Sequence, residues 1–316
     1  MNLLLRRSIM LMTDRHTDER ELPTLSQDDE LGSQMTEARC WGYDIRRLDD
    51  PTNHRPLSYV AYLALSQLGC VRQLDLDTRK LGNFLSSIEH SMPDGNPYHN
   101  RLHVAGVVQH MFVQLSSMHI DDPVVNCACV IAAVVHDCMH PGVSADRWRE
   151  IDPDSLPVGT SLEQYHLDSA LSLMMRPANN FLSDVAPEVT RELQGLVSEL
   201  VLATDMSKHK QVMTDVQRAS SACRSESRPI WLFRLLMKVA DLHHCVGSTA
   251  SHLCWVKNLY AEIHGERADE LPPSFSCDQL QFFDKVVLPM VDTLVAICPV
   301  TAPACRLARI NRSLWL

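Results

Sequence analysis

An unbroken apolar stretch, Cys127-Ala-Cys-Val-Ile-Ala-Ala-Val-Val135, runs straight into His136-Asp137. A helix that is apolar on every side has no solvent face and belongs in a core. The rest of the chain must therefore be large enough to wrap it. An ionised carboxylate at the end of such a segment is costly unless something compensates it. Two compensations are open at this point: an ordinary hydrogen-bonded His-Asp pair, and a divalent metal ion.

Two further segments favour the metal. Upstream, Tyr98-His99-Asn100-Arg101-Leu102-His103 sets two histidines four residues apart, a spacing that puts both on one face if the segment is helical. Downstream, Leu235-Leu-Met-Lys-Val-Ala240-Asp241-Leu242 places a second lone carboxylate near the end of another apolar helical run. The candidate set is His103, His136, Asp137 and Asp241. Two imidazoles with two carboxylates suit zinc and also harder cations such as magnesium or manganese. An aspartate has two oxygens and can bridge two ions, as two-metal attack on phosphorus requires.

Composition fits a helical body of this size. The chain has 316 residues, is 45% hydrophobic and contains only 11 glycines. Alternating strand-like segments are hard to find, so the expected class is all-α, a compact multi-helix domain. The formal net charge is -10, with no dominant basic patch, which argues against a nucleic-acid polymer as partner. An anionic substrate would have to be drawn by local cations or metals. The 11 cysteines contain no C-x-x-C pair, and Cys127, Cys129, Cys138 and Cys245 lie in apolar runs as expected free thiols. With no secretory signal evident, a reducing, intracellular and cytoplasmic location is expected. The apolar start is split by Arg6 and Arg7 and is too short to span a bilayer, so no transmembrane segment is expected.

Residues 1–38 read as a polar, disordered lead-in, and residues 39–316 as one domain. Pro56 opens an expected helix, Asp77 to His90 forms another, and Pro93 to Pro97 is a turn that delivers His99. The helix bearing His136 is expected to stop at Pro141-Gly142, and residues 144–159 read as a loop. Helices resume near Thr160, Glu188, Ile230 and Thr249. Residues 265–277 read as a polar loop, Gln279 to Ile297 as a last apolar helix, and the tail from Pro299 is basic and unassigned.

With these motifs assembled, the chain resembles the catalytic domain of the class I cyclic nucleotide phosphodiesterases, within the wider group of HD-type metal-dependent phosphohydrolases. The matching pieces, in order, are Tyr98-His-Asn-x-x-His103, His136-Asp-x-x-His-Pro-Gly142, Leu162-Glu-x-x-His166, Leu202-Ala-Thr-Asp-Met-Ser-Lys-His209, Ala240-Asp-Leu242 and Gln279-x-x-Phe282-x-Asp284 before Pro289. They extend from about Trp41 to Ile297.

The resemblance implies that His103, His136, Asp137 and Asp241 hold Zn2+ and that Asp137 bridges to a second ion, Mg2+ or Mn2+. It implies that His140, Glu163 and Thr204 orient water around that ion. It makes His99 the general acid, and it assigns substrate contacts to Tyr98, Gln279, Leu280 and Phe282. Gln279 would hydrogen-bond the purine, and Phe282 would stack on it. The implied substrate is a 3′,5′-cyclic nucleotide, cyclic AMP over or alongside cyclic GMP, opened to the 5′ monophosphate. Such chemistry needs two ions to activate a water and neutralise phosphoryl oxygens. It also needs an acid, here His99, to protonate the departing 3′ oxygen.

Without the resemblance, several of these residues have plainer readings. Phe282 and Phe283 would be core, and His119, His209, His252 and His264 surface or capped histidines. His166 reads as a structural neighbour of the ligands rather than one of them.

The chain also departs from the family pattern. His243-His244-Cys245 stands after Asp241-Leu242 where a small residue and Asn-Pro are usual, which leaves open an added ligand and an altered base pocket. Gln164, Tyr165 and Ala145 replace other usual residues. The flexible segment before Gln279 is nearly absent, so a more open site is expected. None of these changes touches the ligand set or His99. Two alternatives stay in view: a hydrolase of another phosphate ester, and a low-turnover cyclic nucleotide binding protein.

Overall fold

The computed structural model describes residues 30–221, 229–267 and 270–316. Among the described residues there is no strand, and the chain is a stack of helices, as the low glycine content and helical periodicity predict. The central one is α5. We number α1 Glu30–Glu37, α2 Pro56–Gln67, α3 Thr78–Ser91, α4 Arg101–Met118, α5 Pro123–Val135, α6 Ala145–Ile151 and α7 Leu162–Met174. Then follow α8 Pro187–Leu202, α9 His209–Ser221, α10 Ile230–Asp241, α11 Thr249–His264, α12 Pro273–Phe282, α13 Leu288–Ile297 and α14 Ala302–Ser313.

Helix α5 starts cleanly because Asp122 accepts the N–H groups of Val124 and Val125, with Pro123 at the first helical position. Every residue from Val124 to Val135 is buried. Helices α2, α4, α8 and α10 pack around it, which meets the need for a wrapped core helix stated by its sequence. Ile131 is fully buried at 0% exposure. Ile131→Ala is expected to cost about 2–5 kcal/mol, read as a lower denaturation midpoint in urea.

Several boundaries differ from the sequence reading. Residues 1–29 lie outside the described residues, but α1 occupies Glu30–Glu37 within the stretch read as disordered up to residue 38. Met35 and Ala38 are buried at 3% and 0%, so this part of the lead-in packs on the domain. A short helix, α6, stands inside the expected loop, capped by Ser144. Helix α12 starts at Pro273 rather than Gln279 and continues through a π-helical turn, Phe283–Val287, into α13. The basic tail forms α14, whose Asn311 side chain donates to the carbonyls of Cys245 and Gly247. That contact ties the tail to the segment following Asp241. No helix among the described residues is long and apolar enough to cross a membrane.

Candidate active site

The site forms where α4 begins and where α5 and α10 end. Helix α5 stops at Val135 with His136 as its C-cap, earlier than Pro141-Gly142. Met139 and Gly142 then adopt left-handed backbone, φ 61° and 72°, so the chain turns sharply and brings His140 beside Asp137. Asp241 is the last residue of α10.

His103 and His99 do not share a helix. Asn100 takes the N-cap of α4 in extended conformation and accepts the N–H groups of Leu102 and His103, so the helix starts after His99. The backbone N–H groups of Tyr98 and His99 instead donate to Glu262 Oε2, both at 2.9 Å. The expected rigid helical turn is thus replaced by a carboxylate clamp from α11, and the two rings still lie 5.6 Å apart.

The four predicted ligands converge. His103 Nε2 lies 3.4 Å from Asp137 Oδ2 and 3.5 Å from Asp241 Oδ1. His136 Nε2 lies 3.2 and 3.3 Å from the same two oxygens. A tetrahedron with bonds of about 2.0–2.1 Å has edges of roughly 3.3–3.4 Å, so the donor set fits a zinc-sized ion. Both Nε2 atoms are buried with no hydrogen-bond partner, which a protein tolerates rarely without a reason. His136 Nδ1 donates to the Ala133 carbonyl at 2.9 Å, which leaves its Nε2 lone pair facing the carboxylates.

The electrostatics agree. Burial alone would lower the His136 pKa, but the Asp137 and Asp241 carboxylates raise it well above the ordinary 6.5. Burial would raise Asp137, but His136 and His103 hold it well below the ordinary carboxylate range. The same field that favours protons here favours a cation.

Asp137 stands between two groups of imidazoles. Its Oδ2 faces His103 and His136, while Oδ1 lies 4.0 Å from His166 Nε2. His166 Nδ1 donates to the Cys138 carbonyl at 2.8 Å, so its Nε2 also presents a lone pair, and burial lowers its pKa to about 4. His140 Nδ1 accepts the Gly142 N–H at 3.0 Å, and its ring stacks on His99 at 3.8 Å. Thr204 spends its hydroxyl proton on the Val201 carbonyl, leaving only acceptor capacity. Lys238, 2% exposed, donates to the carbonyls of Ala203 and Thr204 and fixes that segment. Glu163 lines a cleft of about 330 Å³ with Arg149, Thr160 and Asp205, and burial raises its pKa.

The remaining predicted residues are placed less directly. Tyr98 is 5% exposed, with its ring packed on His103, His244 and Trp255, so its main contacts are with the site's own side chains. Gln279, 7% exposed, lies on α12 with Leu280 and Phe282, both half-buried. The π-helical turn after α12 connects to the centre through rings: Phe283 meets His252 at 5.4 Å, and His252 stacks on His244 at 5.2 Å.

His252 is therefore no surface histidine. Trp315 Nε1–H donates to its Nε2 at 3.2 Å, so its proton sits on Nδ1 and donates to His244 Nδ1 at 3.1 Å. That chain accounts for the buried His244, Cys245 and His252 cluster as hydrogen bonding.

Glu262 is the residue that sequence reasoning missed. Besides the two backbone N–H bonds, its Oε1 makes a short contact with His99 Nδ1, and His99 outweighs burial to lower its pKa. The only signal was one acid in the otherwise apolar run Leu259-Tyr-Ala-Glu262-Ile263.

A helical body in which paired imidazoles and carboxylates converge at three helix ends defines the HD type of centre. The sequence model of 3′5′-cyclic nucleotide phosphodiesterases matches residues 98–307, and the chain belongs to that family. It is 28% identical over 277 residues to the human dual specificity calcium/calmodulin-dependent 3′,5′-cyclic nucleotide phosphodiesterase 1B, covering 81% of this chain and 52% of that one. It is 26% identical over 315 residues to Drosophila melanogaster 3′,5′-cyclic-AMP phosphodiesterase, isoform F, covering 89% and 47%. The chain thus spans about half the length of these curated relatives. The phosphodiesterase domain of the RhoPDE fusion protein from the choanoflagellate Salpingoeca rosetta has the same fold, with a TM-score of 0.77 at 19% identity, covering 92% of this chain and 95% of that one.

Proposed function

We propose that this protein hydrolyses 3′,5′-cyclic nucleotides to 5′ monophosphates, with cyclic AMP used over or alongside cyclic GMP. The observation that carries the reading is the pair of buried, unpartnered Nε2 atoms of His103 and His136 facing the oxygens of Asp137 and Asp241. These four residues would hold zinc, and the free Oδ1 side of Asp137 would reach magnesium or manganese. Bound ions would supply an activated water and neutralise the phosphoryl oxygens. His140, His166, Thr204 and Glu163 would orient water around the second ion.

His99 is the proton donor to the 3′ oxygen, with Glu262 fixing its tautomer and orientation. Gln279 binds the base, and Leu280 and Phe282 flank it. Gln279→Ala is expected to raise KM about tenfold with little change in kcat, because it removes a hydrogen bond made equally in ground and transition states. Unpaired cysteines throughout the described residues fit a reducing compartment.

The test is hydrolysis of cyclic AMP and cyclic GMP by purified protein with magnesium, with manganese, or with excess chelator. Chelator-sensitive release of the 5′ monophosphate supports the reading, and the two rates give the preference. No turnover of either nucleotide by folded, metal-loaded protein would leave a binding role or another phosphate ester.

A further inference from the structure

An imidazole that coordinates through Nε2 carries its proton on Nδ1, and that proton needs an acceptor. For His136 the acceptor is the Ala133 carbonyl. For His103 it is another imidazole: His243 Nε2 lies 3.3 Å from His103 Nδ1. His243 sits in the turn that follows Asp241, is 4% exposed, and packs its ring against His103 and Trp255.

The ring is also met by Gly106, inside α4 and one turn beyond His103. A Cβ at Gly106 would stand 2.6 Å from His243 Cε1 and 2.8 Å from both ring nitrogens. Glycine inside a helix costs about 1 kcal/mol relative to alanine. Its backbone there is ordinary helix rather than left-handed, so the gain must lie in the space it leaves. His243 and Gly106, which are 137 residues apart in sequence (243 − 106), are therefore complementary in shape.

We propose that His243 is a positioning residue of the metal centre. Its Nε2 accepts the Nδ1–H of His103, fixes the His103 tautomer and aims Nε2 of His103 at the ion, while Gly106 provides the room. This rests on the assignment of His103, His136, Asp137 and Asp241 as ligands.

The test is a zinc titration of the full chain against a chromophoric chelator. His243→Met and His243→Gln have equal length, but only the glutamine offers an amide oxygen as acceptor. The Met variant is expected to bind zinc about 10–100-fold more weakly than the parent, the usual loss when such a partner is removed. The Gln variant is expected to stay within a few-fold of the parent. A Met variant as tight as the parent, or a Gln variant as weak as Met, overturns the proposal. Should the Met variant not fold, Gly106→Ala, which pushes the ring off His103, is expected to weaken zinc binding at least tenfold, and unchanged affinity overturns the proposal. A parent chain that binds no zinc would instead remove the ligand assignment itself, before any variant is compared.

Discussion

Asp137→Ala is expected to weaken metal binding and to lower cyclic nucleotide turnover by at least about a thousand-fold, roughly 4 kcal/mol in barrier height. The two oxygens of Asp137 face different groups of imidazoles, so its loss affects both halves of the centre. His103, His136 and Asp241 would remain as a three-donor set with one carboxylate instead of two, so zinc is held more weakly and the second ion loses its carboxylate. Metal content by elemental analysis, alongside turnover, checks this. A variant that keeps the parent's full metal content would overturn the assignment of Asp137 as a ligand.

A second substitution at this position, Asp137→Asn, has a stability signature in chelator-treated protein. His136 has a folded pKa raised above its ordinary 6.5, so its contribution is fully present below pH 6.5 and fades as pH rises through the raised value. Asp137 is depressed below its ordinary 3.8, so its contribution is present above pH 3.8 and fades as pH falls through the depressed value. The pair therefore stabilises the metal-free chain most between about pH 3.8 and 6.5. Asp137→Asn should lose thermal stability chiefly in that window. An equal loss at pH 5 and pH 9 would contradict the pairing.

The second large effect is expected from His99→Ala: kcat down about 10²- to 10⁴-fold, the usual worth of a positioned general acid, with zinc content unchanged. Metal retention follows from geometry, since His99 stands outside the four-donor group and is held by Glu262 instead. Glu262 is ionised at neutral pH because its bonds to His99 outweigh its burial. Glu262→Gln should lower kcat by a smaller factor, since the amide keeps an acceptor but loses the charge that stabilises an imidazolium. A His99→Ala enzyme with parental kcat would show that the proton comes from elsewhere.

The sequence by itself determined the all-α class, the burial of α5 and the choice of His103, His136, Asp137 and Asp241 as the candidate donors that the structure brings together. Each of these is local or periodic: an apolar run admits only a core helix, and a lone His-Asp or Asp at its end is conspicuous against that background. A helix start was legible at Asp77, where a capping side chain stands. Tertiary structure decided what depends on partners far apart in the chain. Glu262 clamps a segment more than 160 residues away, and a single acid in an apolar run does not say which segment it holds. The helix at α1 exists because Met35 and Ala38 find a core to bury against, which a polar composition conceals. His252 looked like a surface residue until Trp315 and His244 closed around it. His243 and Gly106 acquire meaning only in contact, because shape complementarity between a ring and a missing side chain has no sequence period to betray it.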